Sequence, residues 1–208
     1  GGPDCGGSFR SGGDGYRECI IGNEAMIEEW SLGTSEIRAR IAASLIREWQ
    51  SGSLTAIIAR AADFYGPATP TSMASAMIFG PLSHGQKASW LVNDAVPHSF
   101  TYTPDAAQAL LTLAGNDSAW NQTWHLPTTP HPPTGREFIA TSAEALGVAP
   151  RYRVLAKPMV RVVGWFQPVV GEVVEMLYQN DSPYLFDSSK YAAAYGFAFA
   201  TEVPEGAG

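Results

Sequence analysis

Helix-like and strand-like spacings of apolar residues succeed one another along this chain, and their order predicts a layered α/β fold. Ser35 suits a helix N-cap with acidic Glu36 in the first turn. Behind it Ile37, Ile41, Leu45 and Ile46 recur at helical spacing, leaving Arg38, Arg47 and Glu48 to water. The pattern predicts a helix over residues 35–50, stopped by Ser51, Gly52 and Ser53. Residues 54–60 then form a short, almost wholly apolar run with branched side chains, as in a strand buried on both faces of a parallel sheet. A helix leading directly into such a strand is the grammar of a doubly wound sheet.

The same reasoning extends in both directions. Residues 1–17 are rich in glycine and read as a flexible tail, followed by a short strand at Cys19, Ile20 and Ile21. Beyond residue 60, Phe64 to Pro67 closes the buried strand and opens a loop, and residues 71–79 are expected to be helical. Residues 87–92 and 99–102 are short strands separated by the turn residues Asn93 and Asp94. Pro104 and Asp105 begin a helix that reaches Ala114, with Ala106, Ala109, Leu110 and Leu113 inward. A strand at 123–126 follows, then a helix capped by Thr134 and ended by Gly147. Residues 153–180 read as an apolar helix interrupted at Pro168, and a last short helix starts near Ser188 and finishes at Gly196.

Charge narrows the partners. Thirteen Lys and Arg against twenty Asp and Glu leave a net charge of −7, whereas nucleic acid or an anionic membrane surface demands a basic face. Neither is expected as a partner. No apolar run approaches the roughly 18 residues of a membrane helix. Cys5 and Cys19 are too few for a disulfide framework, so a cytoplasmic setting is expected. His84, His125 and His131 lack ligand spacing, and no metal site is predicted.

Four stretches, taken in order, resemble the NAD(P)-dependent epimerase/dehydratase family of extended short-chain dehydrogenases/reductases. Residues 57–67 (IIARAADFYGP) are similar to that family's RPxNxYGP segment, and residues 99–110 (SFTYTPDAAQAL) to its FxxVxDxAxAL segment. Trp124 to Pro127 with residues 134–138 resemble the strand and helix that follow, and residues 187–197 (DSSKYAAAYGF) its DxSKxxxxLGF ending.

The resemblance implies an NAD(P)-linked oxidoreductase, epimerase or dehydratase acting on a small carbonyl or sugar-like substrate. It covers only the family's C-terminal portion, because no GxxGxxG turn follows a strand and opens a helix anywhere in the sequence. The implied architecture is an incomplete Rossmann-like parallel sheet with flanking helices plus a small C-terminal α+β substrate lobe. Residues 18–67 would supply the sheet, and residues 68–208 the lobe with returning sheet elements. The missing N-terminal half, or a second copy, becomes the expected partner, and NAD or NADP the expected cofactor.

The resemblance also assigns residues. Ala62, Asp63, Phe64 and Tyr65 would line the nicotinamide end of the cofactor. His98 and Tyr102 would meet substrate, with His98 where relatives carry an Arg that grips a phosphate. A neutral imidazole is a poor phosphate clamp. Asp105 reads as a charge at a helix start. Glu172, Glu175 and Tyr178 read as a solvated helix face.

The family's YxxxK pair falls on Glu36 and Arg40, a degenerate version of the catalytic motif. Arg40 keeps a fixed cation for ribose or phosphate, but Glu36 cannot copy a phenol. Two alternatives therefore stand beside the enzyme: a catalytically degenerate NADP-binding regulatory or scaffold protein, and an inactive truncated fragment.

Overall fold

The computed structural model describes residues 17–22, 34–164 and 177–196. Most of the predicted glycine-rich tail, Pro168, Glu172 and Glu175 lie outside the described residues, and the side chains of Glu36 and Tyr178 do too. The architecture is α/β, with short parallel sheets and flanking helices. Two compact units emerge, and each draws on several stretches of chain.

The first unit takes its described residues from Gly1–Ala62, Pro104–Thr128 and Phe186–Ala198. Its centre is a three-stranded parallel sheet of β1 (Arg17–Gly22), β2 (Thr55–Arg60) and β6 (Gln122–His125), with β2 in the middle. Ala56, Ile57, Ile58 and Ala59 are all buried, as the unbroken apolar run requires of a strand covered on both faces. Arg60 ends β2 buried as well.

Helix α1 (Thr34–Gln50) covers this sheet, but not with the stripe that isoleucine spacing suggests. Its buried residues are Ala39, Ala42, Leu45 and Ile46, while Ile41 is 45% exposed. At about 100° per residue, Ile41 sits nearly a third of a turn, roughly 110°, from the centre of that face. Ala42 and Ile46 pack on Ile58 beside Trp49. Small alanines let the helix lie close to the strand, and that contact outweighs burial of a larger side chain at the rim.

Helix α3 (Thr103–Ala114) buries Asp105, Ala106, Ala109 and Leu113, a regular i, i+3, i+7 face. The last described helix, α6 (Ser189–Tyr195), ends at Gly196 in the left-handed conformation that glycine adopts without penalty. Its Lys190 donates to Thr123 O and lies 4.3 Å over the Trp124 ring. Buried Tyr191 meets the same ring edge-on. The C-terminal helix is thus fastened to β6.

The second unit comprises the described residues of Asp63–Thr103, Thr129–Leu185 and Phe199–Gly208. It holds two small parallel pairs: β3 (Asp63–Tyr65) with β5 (Phe100–Tyr102), and β4 (Ala88–Leu91) with β7 (Tyr152–Leu155). Residues 57–65 are therefore not one continuous strand. The chain leaves β2 at Arg60, and Asp63 begins a strand in a different sheet. Strand β7 and α5 (Lys157–Gly164) occupy the start of the stretch read from sequence as one long helix.

Between β3 and β4 lie a π-helical turn (Ser75–Phe79) and α2 (Gly80–Ser83), one element longer than the expected helix. Helix α4 (Gly135–Ala145) carries the predicted Thr134 cap: Thr134 Oγ1 accepts from Glu137 N, and the Glu137 carboxylate accepts from Thr134 N. Its Phe138 and Ile139 enter a core with Tyr65, Ile78, Leu82, Trp90 and Phe100. Phe138 stacks on Phe100 with ring centres 4.1 Å apart. Burial of these rings and aliphatics, at about 1.5–3 kcal/mol per large side chain, is the unit's main source of stability.

Candidate functional site

The most chemically loaded part of the second unit grows from the β3–β5 pairing. Parallel register sets Asp63 opposite Phe100 and Tyr65 opposite Tyr102. His98 lies two residues before Phe100 and is held by its own backbone, which donates to Pro133 O and bridges to Tyr184. The imidazole consequently reaches across to β3. Its Nε2 lies 2.8 Å from Asp63 Oδ2, with His98 2% and Asp63 26% exposed.

Aromatic rings close in on the imidazole: Phe100 at 4.9 Å and Tyr184 at 4.8 Å between centres, and Trp90 edge-on at 5.8 Å. This cage fixes the ring plane, while the carboxylate fixes which nitrogen bears the hydrogen. His98 Nδ1 is buried with no hydrogen-bond partner.

Asp63 and His98 border a cleft shared with Met77, Trp90 and Phe100. Its free volume is about 40 Å³, room for a few waters or a small functional group. Behind the Trp90 wall the indole N–H donates to Asn93 O at 2.9 Å. Next to it, the Tyr152 hydroxyl donates to Asp94 at 2.8 Å. The Asp94 carboxylate as acceptor pushes the Tyr152 phenol above its usual range, with lesser help from desolvation.

The residues singled out in the sequence are distributed as follows. Asp63 and His98 form a direct pair. Tyr65 and Tyr102 are ring neighbours at 5.2 Å, Tyr65 buried and Tyr102 half-buried. Phe64, opposite Thr101 in the pairing, is half-buried. Gly66 follows at φ 127°, where a Cβ would meet Thr103 Oγ1 and the Tyr102 ring within 3.0 Å. The turn is therefore closed to any residue but glycine.

Ala62 is buried and belongs to the first unit. So do Glu36 and Arg40, one helical turn apart on α1, with Arg40 exposed and engaged.

Sequence reasoning placed Asp63 and His98 separately, one toward cofactor and one toward substrate. Their pairing had no signal in sequence, because the 35-residue separation is closed only by the β3–β5 register. Ser89 and Asn180, the other polar residues on the cleft wall, were equally invisible. Asp105 is buried as well as placed at a helix start.

Among the described residues no cluster of His, Cys, Asp and Glu could hold a metal ion. No described helix is long and apolar enough to cross a membrane.

No protein-family model matches this sequence, and no curated protein matches it either. Solved structures do share its fold. The chain is similar to UDP-glucuronic acid 4-epimerase from Bacillus cereus in complex with NAD, at 12% identity and TM-score 0.65, over 90% of this chain and 57% of that one. It is similar to UDP-glucose 4-epimerase from Thermus thermophilus in complex with NAD, at 18% identity and TM-score 0.62, over 86% and 56%. A third is dTDP-glucose 4,6-dehydratase from Bacillus anthracis, also in complex with NAD, at 12% identity and TM-score 0.61, over 86% and 50%. The chain spans about half the length of these structures. At such identities the likeness establishes a partial Rossmann-like fold.

Proposed function

We propose that this chain is the substrate-side portion of an NAD(P)-linked protein of the epimerase, dehydratase or reductase type. The observation carrying that reading is the fold likeness to NAD-bound sugar-nucleotide enzymes over nearly nine-tenths of the chain. Support from the residues comes from an interior parallel strand, β2, followed by the β3 aromatics, in the segment that resembles RPxNxYGP.

Each unit by itself carries groups that suit part of a dinucleotide. In the first unit, Arg40 offers a permanent cation with several N–H donors for a ribose hydroxyl or phosphate, and buried Ala62 adds no bulk at its strand end. In the second, half-buried Phe64 offers an aromatic face, while Tyr65 packs against Phe138 in the core. A bound dinucleotide would supply reversible hydride transfer. This chain's residues would orient substrate through Tyr102 and the Asp63–His98 pair. Glu36 stands where the family's phenol acid/base belongs. A carboxyl group there favours the second reading, a catalytically degenerate protein that binds NADP for regulation or scaffolding.

Both readings predict dinucleotide binding by the longest natural chain containing this sequence. NADH and NADPH fluorescence titrations are expected to saturate in the micromolar range, and absence of binding to either overturns both. Turnover of hydroxy or carbonyl substrates separates them. A Glu36→Tyr variant gains activity if the Glu36 carboxyl is what limits it.

A further inference from the structure

Two features of the second unit's cleft combine into a statement about what it can bind. The first is hydrogen-bonding polarity. Because His98 Nε2 faces the Asp63 carboxylate at 2.8 Å, Nε2 donates, and in the neutral ring Nδ1 is left with an available lone pair. That acceptor is buried and unmet.

The second feature is the wall. Ile78, Trp90, Leu91 and Phe100 make it apolar, and among the described residues lining it there is no Lys or Arg. Ser89 already accepts from Arg153 Nε at 3.1 Å. A phosphate or carboxylate entering here would meet the Asp63 carboxylate, with no Lys or Arg among the described lining residues to offset it.

We propose that the cleft binds an uncharged ligand arm carrying a hydroxyl group, whose O–H donates to His98 Nδ1 while its C–H surface rests on Trp90 and Phe100. Asp63 acts as a positioning residue that holds the accepting tautomer. The free volume of about 40 Å³ has room for a hydroxymethyl-sized arm. The substrate class is thereby a neutral polyol or hydroxycarbonyl compound, set apart from a ligand gripped by its phosphates. Its place in a hydride-transfer reaction rests on the function proposed above; the binding itself does not.

The test uses protein labelled with ¹⁵N-histidine, 1,2-propanediol as the neutral probe and UDP as the anionic one. Long-range ¹H–¹⁵N spectra are expected to show His98 protonated on Nε2. The diol should shift the Nδ1 resonance and change Trp90 emission, and UDP should do neither. His98→Phe keeps an aromatic ring in the cage and removes the acceptor, so diol affinity should fall at least tenfold. If that variant fails to fold, Asp63→Asn reads the same nitrogen and is expected to weaken the diol response severalfold.

A proton on Nδ1, an absent diol response, or an equal response in the variants overturns the proposal. So does UDP binding that depends on His98. Diol binding without dinucleotide binding would uphold this inference while refuting the cofactor reading, and the converse result would do the reverse.

Discussion

Replacing Gly135 by alanine tests the packing behind the candidate site. Gly135 opens α4 and is buried against the Trp90 ring. A Cβ at that position would lie 2.6 Å from both Cδ2 and Cζ2 of Trp90, and nearer still to Cε2. Ordinary carbon contacts are about 3.5–4.0 Å, so the ring or the helix must move by roughly 1 Å.

Neither moves easily. The indole N–H is tied to Asn93 O, and the ring touches His98 and Phe100. The helix is fixed by its capping box. Overpacking of this kind costs about 1–3 kcal/mol, while the gain in helix propensity is at most about 1 kcal/mol and smaller at the first helical position. A net loss is expected. For a chain of this size it lowers the melting temperature by about 2–4 °C per kcal/mol.

Thermal unfolding followed by circular dichroism and Trp fluorescence measures the loss. Gly85→Ala is the control, since nothing lies within 4 Å of its Cβ position and only backbone strain enters. A Gly135→Ala protein that melts at or above the wild-type temperature refutes this reasoning. The same displacement should also disturb the His98 cage, so diol binding in the cleft should weaken in parallel.

Three further outcomes are expected. Phe138→Ala removes a fully buried ring stacked on Phe100 and edge-on to Tyr65, and should cost about 3–5 kcal/mol in urea unfolding. Thr134→Ala breaks the α4 cap and should cost about 1 kcal/mol at neutral pH. The Glu137 carboxyl is held below its ordinary value of 4.5, first by the Thr134 backbone N–H and then by the Thr134 hydroxyl. The part owed to the Thr134 hydroxyl is therefore present above that value and lost as pH falls through the depressed one, so the gap between variant and wild type should narrow below pH 4.5 to what the cap bond to Glu137 N contributes. Lys190→Ala loses a cation–π contact and a backbone hydrogen bond at the surface, and should cost about 0.5–1 kcal/mol by the same assay.

Much of the fold was readable in the sequence because its signals are local. A doubly buried strand must be apolar throughout, so residues 55–60 announced themselves. Capping chemistry needs particular side chains at fixed positions, so Thr134 and Gly147 marked both ends of α4. The alanine face of α1 was misread because apolar periodicity weighs large side chains. Packing against Ile58 instead chose the small ones, leaving Ile41 at the rim.

Strand partners are a different matter. No local feature says that residues 63–65 leave the sheet of β2 to pair with 100–102, or that 88–91 pair with 152–155. Register between distant segments is decided by which faces bury together, a property of the whole core. The candidate site belongs to that second kind of knowledge. Asp63 and His98 were each visible as residues, but an acceptor nitrogen aligned by a carboxylate inside an aromatic cage exists only once β3 and β5 lie side by side. The chain's own pattern dictated the elements and their order; long-range packing alone determined which side chains face one another, because only compaction brings atoms 35 residues apart to within 2.8 Å.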